Sequence, residues 1–183
     1  MGLFDGAADG TGSAGDLAAL LSLPVVLVVD CGRTSQSVAA LVTGFSRFRS
    51  DVQVAGVILN RVGSDRHEGM LREAMAKTEV PVLGSLRSDK ALSLPERHLG
   101  LVQAGEHGAL ETFIENAADA VEGGVDLDRL MQLAALSTLS VAALMAGCGK
   151  KEEPPAPAAA APASAPPPKP EPLKIGFIYV GPV

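Results

Sequence analysis

The sequence predicts an α/β fold: an incomplete doubly wound parallel sheet, followed by a helix and a disordered Pro/Ala tail. Three observations carry that expectation. Pro24 to Asp30 (PVVLVVD) and Val52 to Asn60 (VQVAGVILN) are continuous apolar runs, the pattern of parallel strands buried on both faces. The stretches that follow them place apolar residues at helical spacing. The two kinds of segment alternate along the chain, as right-handed crossovers between parallel strands require.

Taken in order, Ser13 to Leu23 reads as a helix with Leu17, Leu20 and Leu21 on one side. Asp16 falls in its first turn, where a negative charge suits the helix dipole. After the first apolar strand, Ser35 to Phe48 carries Val38, Leu41, Val42, Phe45 and Phe48 on one stripe. After the second, Ser64 to Thr78 is again helical, with Met70, Leu71, Ala74 and Met75 apolar. Val80 to Leu86 is a third short strand that Pro81 opens. Ala104 to Val121 reads as a surface helix starting near Glu106 and stopped by Gly123 and Gly124, and Asp126 as the N-cap of another through Leu127, Leu130 and Met131. In open sheets of this kind ligands sit beyond the carboxyl ends of the strands. The residues there are Asp30 to Thr34, Asn60 to Ser64, and Ser85 to Lys90.

Beyond residue 130 the character changes. Leu133 to Ala146 is small, apolar and uncharged, too short to span a bilayer comfortably. Its length fits the apolar core of a secretory signal, and it ends in Ala146-Gly147-Cys148. Nine of the 13 prolines lie between Pro154 and Pro172, so Lys150 to Pro172 reads as a spacer that builds no core. Leu173 to Val180 reads as one more strand. The expected units are residues 1–130, an apolar helix over 131–148, a linker over 149–172 and a strand-bearing end over 173–183.

Composition excludes several classes. The net charge of -6 and 3% aromatic content with no Trp fit neither a phosphate-tracking basic surface nor a base-stacking platform, so no nucleic-acid partner is expected. Cys31 and Cys148 form no CxxC pair, and His67, His98 and His107 lack zinc spacing with them. No metal site is assigned. Cys31 closes a buried-looking strand, which argues against a disulfide.

Four strings could carry chemistry. Gly2 to Gly6 (GLFDG) is rich enough in glycine for the backbone to approach a ligand, and Asp5 could serve a metal or a substrate amine. The competing reading is a turn. Asn60-Arg61 ends a strand, and an amide there can donate to and accept from an adenine edge; it could equally cap the next helix. Pro81 to Arg87 could wrap a base or lead into a turn. Leu94 to Leu101 (LPERHLGL) combines Glu96, Arg97 and His98 with rigid flanks, though Glu96 and Arg97 also suit a surface pair. No GxxxxGK[ST] phosphate loop occurs, which excludes a self-sufficient P-loop NTPase. Because GLFDG follows Met1 directly, the sequence is expected to start inside a larger domain.

In order, GLFDG, GSAGDLAALL, PVVLVVD, SVAALVTGF, VAGVILNRVGSDRH, PVLGSL and LPERHLGLV resemble the N-terminal ligase domain of the cobyrinic or hydrogenobyrinic acid a,c-diamide synthases. The resemblance runs from Met1 to about Leu130; cobyric acid synthase and dethiobiotin synthetase share the fold but fit these strings less well. It implies a P-loop-type domain that uses ATP and Mg2+ to phosphorylate corrin acetate carboxylates. Ammonia released from glutamine by another domain then displaces phosphate. It also implies that Asp5 lies near substrate and metal as the catalytic position, that Asn60 meets adenine, and that Arg87, Ser88 and Asp89 close over the base. The resemblance further implies cobyrinic or hydrogenobyrinic acid as the corrinoid substrate and a cytoplasmic location. Neither the phosphate loop nor the glutaminase domain of that family is in this sequence, so a fragment inactive alone is expected.

The end of the chain resembles something else. LAALSTLSVAALMAGCGKKEEP, the spacer and LKIGFIYVGPV look like the start of a basic-membrane-protein-family substrate-binding lipoprotein of an ABC transporter. That resemblance implies lipidation at Cys148, and a membrane anchor only through it. The join is read near Arg129 to Ala134.

Overall fold

The computed structural model describes residues 2–93, 96–97, 100–101, 109–135 and 178–180. A short helix, α1 (Ala14–Leu20), precedes the first strand. Ser13 caps it: its side chain accepts from the Asp16 amide while the Asp16 carboxylate accepts from the Ser13 amide, a reciprocal capping box. The helix ends short of the expected Leu23, and Ser22 turns the chain with φ 51°.

Three parallel strands follow: β1 (Val25–Asp30), β2 (Val54–Val62) and β3 (Val82–Arg87). Between them run α2 (Ser37–Phe48) and α3 (Asp65–Met75). β2 pairs with β1 from Val25↔Val54 to Asp30↔Asn60, and with β3 from Val57↔Val82 to Val62↔Arg87. The ladder between β2 and β3 shifts register between Leu59 and Val62, where Arg61 takes a left-handed φ of 59°. Beyond β3, Glu96–Arg97 (β4) and Gly100–Leu101 (β5) form a small antiparallel pair. A fourth parallel strand, β6 (Ile178–Val180), lies on the other side of β1, so the sheet order is β3-β2-β1-β6.

Both faces of the sheet are covered, which is what doubly wound means. Val25, Leu27, Val29, Val57, Leu59 and Val62 face one cluster with Leu3, Val38, Val42, Leu71, Ala74 and Met75. Val26, Ile58 and Leu83 face a second with Val125 and Leu130, and Leu133 packs against it. That second layer comes from Val125, directly after α4 (Leu110–Gly124), and from a helix, α5, over residues 127–135. Asp126 caps α5 as expected, its Oδ1 accepting from the Arg129 amide at 2.9 Å.

Two expectations need correction. The helix expected to end at Val121, before Gly123 and Gly124, takes in both and ends at Gly124. The end of α4 packs closely on β3: a Cβ on Gly84 would lie 2.6 Å from the Val125 Cα, and Gly84 bridges Val125. Glycine there lets two backbones touch. The α2 stripe is also only partly inside: Val38 and Val42 are buried, whereas Leu41 is exposed and Phe48 is 70% exposed. Phe48 instead leans on Phe4, with ring centroids 4.9 Å apart. Leu94, Pro95, His98 and Leu99, the apolar run from 136 onward, Cys148, the spacer and residues 173–177 lie outside the described residues.

Candidate functional site

The carboxyl ends of β1, β2 and β3 bring three loops to one edge of the sheet. At the first, Asp30 is 9% exposed, which is costly for a carboxylate unless it is partnered. Its Oδ1 accepts from the Gly32 amide at 2.8 Å and its Oδ2 from Arg61 Nη1 at 2.8 Å. Arg61 therefore ties the end of β2 to the end of β1.

Asn60 precedes it, half-buried at the end of β2. Its carbonyl oxygen accepts from the Cys31 amide at 2.8 Å, and its side-chain Oδ1 from the Arg61 amide at 2.9 Å. The Nδ2 group makes no hydrogen bond among the described residues, so a donor remains for a ligand. Asn60 does not cap α3. That task belongs to Ser64, whose hydroxyl accepts from the His67 amide at 3.2 Å.

His67, on the first turn of α3, joins the loops from the side. Its Nδ1 accepts from the Gly63 amide at 3.1 Å, so Nε2 carries the proton and donates to the Thr34 carbonyl at 2.7 Å. Cys31, fully buried, has its thiol pushed up to about 11 by burial, so it stays protonated and unreactive.

At the third loop, Arg87 ends β3 and turns to α3, where it pairs with Asp65 and, at 2.9 Å, with Glu68. Glu68 also holds Arg72 at 2.8 Å, and its carboxyl lies below the usual range through hydrogen bonds from Arg72 and Ser85 against a smaller cost of burial. The Ser88 amide donates to the Val62 carbonyl at 3.0 Å. Asp89 caps a single 3-10 turn, Lys90–Leu92, its Oδ1 accepting from the Ala91 amide at 2.8 Å. Asp5 is exposed in the turn before α1, its carboxylate 2.7 Å from the Gly2 amide. Its neighbour Phe4 stacks on Phe45.

The structure thus gathers Asn60 and Arg87–Asp89 at one edge of the sheet. It adds Asp30, Arg61 and His67, to which sequence reasoning gave no joint role. A buried Asp facing a left-handed Arg on the neighbouring strand, 31 residues along the chain, leaves no local signal. The VGSDRH string holding His67 was the nearest hint. The arrangement suits the base of a nucleotide, with one amide donor on a rigid strand end. For phosphates and a metal it offers little: both Asp30 oxygens and the Arg87 guanidinium are engaged, and the described residues contain no group of three metal-ligating side chains.

A parallel sheet wound on both faces, with its polar loops at the carboxyl ends, defines a nucleotide-binding type of α/β domain. Residues 3–102 match the family model described as CbiA, the CobQ/CobB/MinD/ParA nucleotide binding domain, and the chain belongs to that family. It is 68% identical to hydrogenobyrinate a,c-diamide synthase of Rhizobium meliloti (strain 1021) over 77% of this chain and 32% of that protein. The synthase of Brucella anthropi is 68% identical over 73% of this chain and 30% of the relative. That of Agrobacterium fabrum is 47% identical over 82% and 36%. The chain therefore spans about a third of the length of these relatives. No solved structure matches it. Among the described residues no helix is long and apolar enough to cross a membrane.

Proposed function

We propose that residues 1–130 form the base-side part of an ATP site in a glutamine-dependent a,c-diamide synthase, which amidates corrinoid acetate side chains in cobalamin biosynthesis. The observation that carries this reading is the Asn60 amide. It is half-buried at the carboxyl end of β2, with Oδ1 held and Nδ2 unbonded among the described residues. The relatives' name and the family match support it. Hydrogenobyrinic or cobyrinic acid is the proposed substrate, ATP the phosphoryl donor, Mg2+ its counter-ion and glutamine the source of ammonia. The phosphate, metal and ammonia functions fall to parts beyond the third of the relatives that this chain spans. In this reading the chain alone does not catalyse, Asp5 lies near the substrate and the metal, and the protein works in the cytoplasm.

Saturation-transfer NMR of the full chain with ATP tests the assignment. Transfer concentrated on the adenine protons, lost in Asn60→Ala, is the expected result. Transfer to the ribose alone, or adenine transfer unchanged in Asn60→Ala, sinks it. The alternative, a lipoprotein precursor anchored through Cys148, rests on the LAALSTLSVAALMAGC string. Palmitate labelling of Cys148 in cells would favour it.

A further inference from the structure

β2 carries a bulge where it leaves the sheet. Its pairing with β3 passes from Leu59↔Ser85 to Val62↔Arg87, so three steps along β2 answer two along β3. The surplus residue lies where Arg61 takes its left-handed φ of 59°, a conformation that side chains other than glycine disfavour. Bulges often re-aim a side chain beside a functional site. Here the side chain is that of Asn60.

The hydrogen bonds show how. The Asn60 carbonyl accepts from the Cys31 amide, just past the end of β1. The Arg61 amide belongs to the same trans peptide, so it points the other way, toward β3. In an unbroken parallel ladder a carbonyl of β3 would take that N–H. At the bulge Asn60 Oδ1 takes it instead, at 2.9 Å. Only the oxygen of a side-chain amide can accept from an N–H. The bond therefore fixes which way round the amide sits and leaves Nδ2 as the end for a ligand.

The turn has a support of its own. Arg61 Nη1 donates at 2.8 Å to Oδ2 of Asp30, whose side chain is only 5% exposed. A carboxylate so buried is held in place by its partners, and the Gly32 amide holds its other oxygen. The pair thus anchors the Arg61 side chain to the end of β1.

We propose that Arg61 is a positioning residue for Asn60. Its left-handed turn, anchored through Asp30, keeps the residue 61 amide out of the β3 ladder. That amide then locks the Asn60 side chain with Nδ2 as the ligand-facing donor. The role rests on Asn60 as the base-side contact, but the lock itself exists without nucleotide.

Two NMR measurements on the full chain test this: relaxation of the Asn60 side-chain nitrogen without ligand, and saturation transfer with ATP. In the parent the Asn60 amide is expected to be rigid. Arg61→Ala removes the anchor and disfavours the turn, so the Asn60 order parameter should drop below about 0.6. Adenine transfer should fall with it, by about threefold, because binding must then immobilise the side chain. Arg61→Gly also lacks the guanidinium but takes the left-handed turn freely, so Asn60 should stay rigid. An Asn60 as rigid in Arg61→Ala as in the parent overturns the proposal. So does a mobile Asn60 in Arg61→Gly, which would make the charge rather than the turn decisive; this arm decides the matter even where the alanine variant fails to fold. Adenine transfer that survives Asn60→Ala overturns the base-side reading and the positioning role with it. Transfer lost in Asn60→Ala but undiminished by a loosened Asn60 in Arg61→Ala overturns the positioning role alone.

Discussion

His67 donates from Nε2 to the Thr34 carbonyl at 2.7 Å, linking the first turn of α3 to the loop after β1. Its other nitrogen accepts from Gly63, so one imidazole ties together the two loops that frame Asp30 and Asn60. Removing it leaves a donor and an acceptor without their partner. His67→Ala is expected to cost about 1–2 kcal/mol in urea unfolding. A variant as stable as the parent would show that the two contacts add nothing net.

Asp16 gives a pH signature. Hydrogen bonding from Arg49, then from the Ser13 backbone and side chain, brings its carboxyl down to about 2 from 3.8. A depressed folded value means stability that is present above the unfolded value and lost as pH falls through the folded one. The contribution should therefore fade between about pH 4 and pH 2. Melting temperatures of the parent and Asp16→Asn should differ at pH 6 and converge near pH 2. A constant gap across that range would contradict the assignment.

Cys31 points the other way. Its thiol is raised from 9.0 to about 11, so above pH 9 the unfolded chain loses protons that the folded chain keeps, and stability falls. In a Cys148→Ser background, iodoacetamide at pH 8 should leave the native thiol untouched and alkylate it in urea. Rapid native labelling would mean that the strand end opens.

Gly84→Ala probes the contact between β3 and the end of α4. The added Cβ meets backbone at Val125 rather than a yielding side chain. Overpacking of this sort typically costs about 1–3 kcal/mol, and a lowered thermal midpoint is the expected result. An unchanged midpoint would show that α4 can slide away freely.

Strands β1 to β3 and helices α2 and α3 were legible because a sheet buried on both faces writes itself as apolar runs, and its crossovers as amphipathic ones. The edge carrying the site followed from that order alone. What stayed hidden depends on contacts distant in sequence. Gly123 and Gly124 read as a helix stop, and α4 ends at Gly124; what stayed hidden is that Gly124 lies against the Ser85 carbonyl of β3. Phe48 completed a stripe on paper, yet it caps the helix end against Phe4 rather than entering the core. The strand over 178–180 was legible as a strand, but no local pattern announces that it pairs with β1.

The left-handed Arg61 has one more effect. Up to Leu59, β2 keeps a two-beat rhythm, with Val57 and Leu59 turned to one layer and Ile58 to the other. An unbroken rhythm would send Val62 to the layer of Ile58, yet it lies fully buried with Leu59. The single positive φ inserts an extra beat, so the chain leaves the sheet in the opposite phase. Forcing Arg61 into an extended backbone would do more than move a charge: it would restore the unbroken rhythm, turn Val62 out of its layer and re-aim the whole loop that leads to α3.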